Sequence, residues 1–77
     1  MLNEDVDRYI ALRRTLGYKL RKAARHLQAF ARYADERGET HVRTATVLAW
    51  VTTAGRTQDA RAERMRNLLL FARFPER

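Results

Sequence analysis

The side chains of this 77-residue chain best suited to proton transfer or metal ligation are His26 and His41. They fall in different segments, no cysteine accompanies them, and neither belongs to an HExxH or comparable ligand spacing. His26 sits at the edge of an apolar helical arc, where half-buried packing is the expected role. Asp35 and Glu36 are neighbours, so on a helix they point about 100° apart and cannot share a substrate; solvating a helix end suits them better. No Gly-rich phosphate loop and no GxSxG elbow is present. Tyr9, Tyr18 and Tyr33 fit packing or helix-edge roles. Neither catalysis, nor a metal, nor a cofactor is expected of this chain.

The basic residues suggest a different chemistry. Fourteen of the sixteen cationic side chains are Arg, whose planar guanidinium can hold two phosphate oxygens at once. The formal charge is +7, and its placement is uneven. Residues 18–38 carry six basic against two acidic residues, a net +4, and residues 56–77 carry six against three, a net +3. The remaining two stretches are each balanced. Long cations on two separate segments could bracket a duplex through its phosphates, without reading bases. Charge alone leaves the plainer alternative, an ordinary solvated face, equally open. A membrane-surface helix is disfavoured, because the basic face opposes an Ala-rich apolar face suited to protein packing.

These residues must be carried by helices. Pro75 is the single proline, no alternating strand pattern has useful length, and Gly17, Gly38 and Gly55 each follow a helical stretch as left-handed C-terminal residues would. The chain therefore divides into four helices with no internal repeat. The first is expected from about Glu4 to Leu16 with Asn3 as N-cap, placing Val6, Tyr9, Ile10, Arg13 and Leu16 on one face and Leu12 beside it. The second, about Lys19 to Arg37, gathers Leu20, Ala23, Ala24, Leu27, Phe30, Ala31 and Ala34 in one arc at 100° per residue. Arg21, Arg25 and Arg32 line one polar flank, with Lys22 farther round the outward surface. Thr44 is the expected cap of a short third helix packing Val47, Leu48, Trp50 and Val51; Trp50 reads as a core anchor rather than a base-stacking platform. The fourth starts near Gln58 or Ala60, capped by Thr57 or Asp59, and runs to about Phe74. Ala62, Met65, Leu68, Leu69 and Ala72 form its expected core face, while Leu70, Phe71 and Phe74 form a second apolar strip turned well away from it, which either another helix covers or something outside this chain must meet.

A chain of this size forms one small domain. The absence of cysteine suits a reducing cytoplasm, and no apolar run approaches the roughly 20 residues of a membrane span. The acidic start, MLNEDVDRY, lacks a signal-peptide core. A cytoplasmic protein without membrane contact is expected.

Three stretches, taken in order, resemble the N-terminal core-binding domain of phage-integrase-type tyrosine recombinases, a SAM-like four-helix module. They are DRYIALRRTLGYKL, HLQAFARYADERG and ARAERMRNLLLFARF, the last with Arg64 seven residues before Phe71. The intervening ETHVRTATVLAW suits the short third helix. The resemblance implies a small orthogonal four-helix bundle spanning residues 1–77 and a role in DNA recombination or integration. It also implies that the second and fourth helices lie near the major groove of double-stranded DNA. Tyr18, Lys19 and Lys22 would then sit at the turn into the second helix, where relatives touch phosphate, with Arg21 and Arg25 along that helix. Arg61, Arg64, Arg66 and Asn67 would fall on the matching part of the fourth. Asn67 is the expected base-edge reader, since an amide can pair with adenine, and Arg64 has a structural alternative, its stem covering core. Many relatives begin the second helix with a Ser or Thr cap, which GYKL does not offer. The resemblance further implies that the catalytic Arg, Lys, His and Tyr belong to a separate domain of a longer chain, and that other recombinase protomers are possible partners. The competing reading is a helical protein-interaction module working through Leu70, Phe71 and Phe74.

Overall fold

The computed structural model describes residues 2–73, which form α1 (Leu2–Thr15), α2 (Arg21–Glu36), α3 (Thr44–Ala54) and α4 (Gln58–Ala72), with no strand among them. The all-α, four-helix architecture expected from the sequence is the one found. Phe74 and Pro75 lie outside the described residues.

The helix ends show which local signals were sufficient. At the end of α1, Tyr18 N–H donates to the Arg13 carbonyl at 3.2 Å and Gly17 N–H to that of Arg14 at 3.1 Å, with Gly17 at φ +99°. At the end of α2, Glu39 N–H donates to Ala34 and Gly38 N–H to Asp35 in the same pattern, with Gly38 at φ +73°. Both are Schellman motifs, and both need a residue that enters the left-handed region cheaply. Gly55 differs from the expectation. Its φ is −92°, so it is not a left-handed cap. It is buried because α4 passes directly over it: an added Cβ would stand 2.7 Å from Arg61 Cγ and 3.1 Å from Arg61 N. Close approach, rather than dihedral freedom, is what demands glycine there.

Three N-termini also shift. Asn3 lies inside α1 rather than capping it, since the helix begins at Leu2, whose side chain is buried in the core. Thr44 is the first residue of α3, and the flanking cap position is Arg43, with no side-chain cap bond. Thr46 Oγ1 instead donates to Glu39 Oε1 at 2.5 Å, tying α3 to the preceding loop. Thr57 does cap α4, its Oγ1 accepting from Ala60 N–H at 3.0 Å. α2 begins at Arg21, two residues later than Lys19, because Leu20 takes a left-handed conformation at φ 54° and ψ 33°. For a bulky residue that geometry costs roughly 1–2 kcal/mol.

Inside, Val6, Leu27, Phe30 and Leu68 are the most completely enclosed large side chains. Edge-to-face pairs join the helices: Tyr9 of α1 meets Phe71 of α4 at 5.4 Å between ring centroids, and Phe30 of α2 meets Trp50 of α3 at 5.5 Å. Such pairs add about 0.5–1.5 kcal/mol beyond their buried area. Trp50 is thus a core anchor. Several apolar residues depart from the sequence reading. Leu16 is 65% exposed, because α1 stops before it. Leu48 and Leu69 are about half exposed, Ala62 is exposed and Ala23 only half-buried.

Of the strip of Leu70, Phe71 and Phe74, α1 covers Phe71, and Phe74 lies outside the described residues. Phe71 is 4% exposed, with its ring on Tyr9. At 100° per residue it stands only about 60° from Leu68, so both belong to one buried arc. Leu70 remains 44% exposed on the outer side.

Candidate nucleic-acid interface

α1 builds the turn that leads into α2. Both of its last-turn arginines are engaged. Arg13 lays its guanidinium 4.3 Å from the Tyr18 ring centroid and 5.8 Å from that of Tyr9. Arg14 Nε donates to the Lys19 carbonyl at 3.2 Å. A cation–aromatic stack and a charge-assisted hydrogen bond thus clamp residues 18–20 and help hold Leu20 in its left-handed conformation. From the clamped turn, Lys19, Arg21, Lys22 and Arg25 emerge with exposed side chains. Arg21 and Arg25 have no hydrogen-bond or ion-pair partner among the described residues.

α2 and α4 meet along a polar seam. Lys22 Nζ lies 3.4 Å from Glu63 Oε1, and one turn farther along both helices His26 Nδ1 lies 3.0 Å from Asn67 Nδ2. The two pairs advance in the same direction, so the N-terminal half of α2 and the middle of α4 run alongside one another in parallel. His26 is 8% exposed, and its pKa falls below the ordinary 6.5. Burial is the largest cause; Arg64 adds to it, as do Lys22 and Arg25, while Glu63 opposes. In the orientation found, Asn67 donates and Nδ1 accepts, which puts the ring proton on Nε2.

The four α4 residues singled out in the sequence do not form one free surface. Arg66 is exposed and without a partner among the described residues. Arg61 turns back toward the end of α3, where Nε donates to the Gly55 carbonyl at 2.9 Å and Nη2 to that of Thr52 at 3.3 Å. It thereby satisfies carbonyls that α3 leaves unpaired. Arg64 is half-buried; Nη1 reaches the Ala60 carbonyl at 3.3 Å and Nε is enclosed without a partner. Asn67 is half-buried, and its amide is occupied by His26. Tyr18 serves the clamp on the turn while keeping about half its surface exposed.

Sequence reasoning missed His26 as a polar partner, Glu63 as an acid set among the cations, and Arg13 and Arg14 as the clamp. No local signal reveals the first, because His26 and Asn67 lie 41 residues apart. The spacing of Arg13 and Tyr18 across a glycine turn could have suggested the clamp.

Elsewhere, α1, α3 and α4 enclose a mainly apolar groove of about 690 Å³, lined by Val42, Leu48, Met65 and Leu69 among others and bordered by Asp5 and Arg8. Among the described residues no cluster of three or more His, Cys, Asp or Glu could hold a metal ion, and no helix is long and apolar enough to cross a membrane.

Comparison with known proteins places these features beside one relative. The chain is 37% identical over 70 residues to a protein of Sinorhizobium fredii (strain NBRC 101917 / NGR234) named "Putative integrase/recombinase y4rB". The match takes in 90% of this chain and 22% of that protein, so the chain spans about a fifth of its relative's length. No family model matches, and no solved structure matches.

Proposed function

We propose that this chain is a DNA-binding domain of the core-binding type found in tyrosine recombinases. In this reading residues 1–77 form one unit that grips duplex DNA at a recombination site, while a separate catalytic domain cleaves and rejoins the strands. The supporting observation is the row of Lys19, Arg21, Lys22 and Arg25, exposed on a clamped turn and the first turns of α2, in a chain related to an integrase/recombinase. Arg66 is a further exposed cation on α4. The other residues drawn from the resemblance take supporting parts: Tyr18 in the turn, Arg61 and Arg64 in the framework, and Asn67 at the seam.

The domain measures 31 Å along its longest axis, slightly less than the roughly 34 Å of one DNA turn. Contact with about 4–8 phosphates is therefore reasonable, and affinity should fall steeply with salt. The test is duplex binding at rising salt, comparing the wild type with a Lys19→Ala/Lys22→Ala/Arg25→Ala variant. Loss of about three phosphate contacts should weaken binding more than tenfold and lower the salt slope by about 3. A variant that binds as tightly as the wild type removes this surface from consideration.

A second reading, a protein-interaction module, no longer has Phe71 available, but the groove holding Leu48 and Leu69 keeps it in view. Light scattering without DNA separates the two. A monomer fits the DNA-binding reading, and association abolished by Leu69→Asp would favour the interaction module.

A further inference from the structure

The His26–Asn67 pair is an unusual feature to find beside a surface meant for polyanions. A buried imidazole and a half-buried amide share one hydrogen bond across the α2–α4 seam, one turn from Lys22 and Glu63 and next in sequence to the exposed Arg66. An amide has two unlike ends. While His26 Nδ1 is bare, Asn67 turns its NH₂ group toward the ring, so its carbonyl oxygen, the opposite end of the amide, is the end directed away from His26. If Nδ1 gains a proton it can only donate, so the bond survives only when the amide turns over, its oxygen inward and its NH₂ group outward. An outward oxygen repels phosphate and suits amino groups on base edges. An outward NH₂ group suits phosphate oxygens and acceptor edges.

We propose that His26 is a positioning residue which sets the outward edge of the Asn67 amide, and that binding of a polyanion at this face draws a proton onto His26. The proposal rests on the DNA-binding reading and deepens it. The charged groups acting on His26 are Lys22 and Arg25 from its own helix and Glu63 and Arg64 from α4, with none from α1 or α3 among them. Three of the four are cations, and they keep the free ring neutral together with its burial. Phosphates placed against those cations offset their field, so the bound state tolerates an imidazolium that the free state resists. Proton uptake then accompanies binding, and the proton turns Asn67 from acceptor to donor toward the ligand.

The experiment measures affinity for a mixed-sequence duplex at about pH 5.5 and about pH 8, within the range where histidine titrates. Wild type, His26→Gln and His41→Gln are compared at constant salt. Wild type and His41→Gln should bind about three- to tenfold tighter at the lower pH, and His26→Gln should show no such gain. Because a buried substitution could impair folding, the His26 ring is also titrated by NMR in the wild type, free and with duplex added. Its pKa should rise on binding, and the side-chain amide protons of Asn67 should shift with the same midpoint. Binding that ignores pH, with a His26 pKa unmoved by duplex, overturns this proposal and leaves the DNA-binding reading standing. No duplex binding at either pH removes that reading, and this one with it.

Discussion

The stretches 18–38 and 56–77, which contain α2 and α4, carry similar net charges of +4 and +3, yet the fold uses them in opposite ways. On α2 the cations point outward from a turn whose geometry α1 secures, and Arg21 and Arg25 have no partner among the described residues. On α4, Arg61 caps the end of α3, Arg64 is half-buried with its Nε enclosed, and Glu63 pairs with Lys22. Among the four singled-out α4 residues, Arg66 is the one both exposed and without a hydrogen-bond partner among the described residues. Similar net charges therefore do not mean similar binding surfaces. A guanidinium already bonded to backbone carbonyls has less to offer a phosphate, and moving it would leave those carbonyls unsatisfied.

This contrast can be broken by separating binding from stability. The largest effect expected is on binding: removing Lys19, Lys22 and Arg25 together should cost more than tenfold in duplex affinity. The melting temperature of that variant should barely change, since exposed substitutions usually fall within about 0.5 kcal/mol. The reverse pattern is expected at the α3–α4 junction. Gly55→Ala drives a methyl into Arg61 and should destabilise by about 1–3 kcal/mol in a urea titration. Arg61→Ala should cost about 1 kcal/mol by leaving the Gly55 and Thr52 carbonyls unpaired, with the salt slope of binding reduced by less than 1. A full unit of slope lost in Arg61→Ala would show that α4 contributes to the grip as α2 does.

Smaller effects sharpen the comparison at the seam. Glu63→Gln releases Lys22 and removes the acid from the basic face, so duplex affinity should rise a few-fold at low salt and converge with wild type at high salt. The smallest effect is on stability against pH. His26 has a folded pKa below its ordinary 6.5, so the unfolded chain binds the proton more readily than the native state. Its contribution is therefore fully present above about pH 6.5 and is lost as the pH falls from there toward the depressed native value. The melting temperature of the free protein should drop over that window, and the drop should be smaller in His26→Gln.

Much of the fold was legible because its signals are local. Gly17 and Gly38 mark helix ends through dihedral angles that only their own peptides decide, and Thr57 finds its N–H three residues away. The apolar arc of α2 from Ala24 to Ala34 follows from the helical repeat alone. Gly55 carried the same letter as the other two glycines, but its reason lies in another helix. Phe71 shows a related limit: the sequence leaves open whether another helix covers it, and its meaning comes from what does, here Tyr9 on α1.

The sequence by itself determined four helices, their order, most of their boundaries and the concentration of charge on two of them. These depend on backbone preferences and on periodicity within a few residues. Only the tertiary structure decided which cations remain free, which arginine caps a neighbouring helix, and that Asn67 meets His26 rather than open solvent. Those outcomes depend on groups far apart in the chain coming within about 3 Å, where a hydrogen bond forms or fails on geometry that composition does not encode.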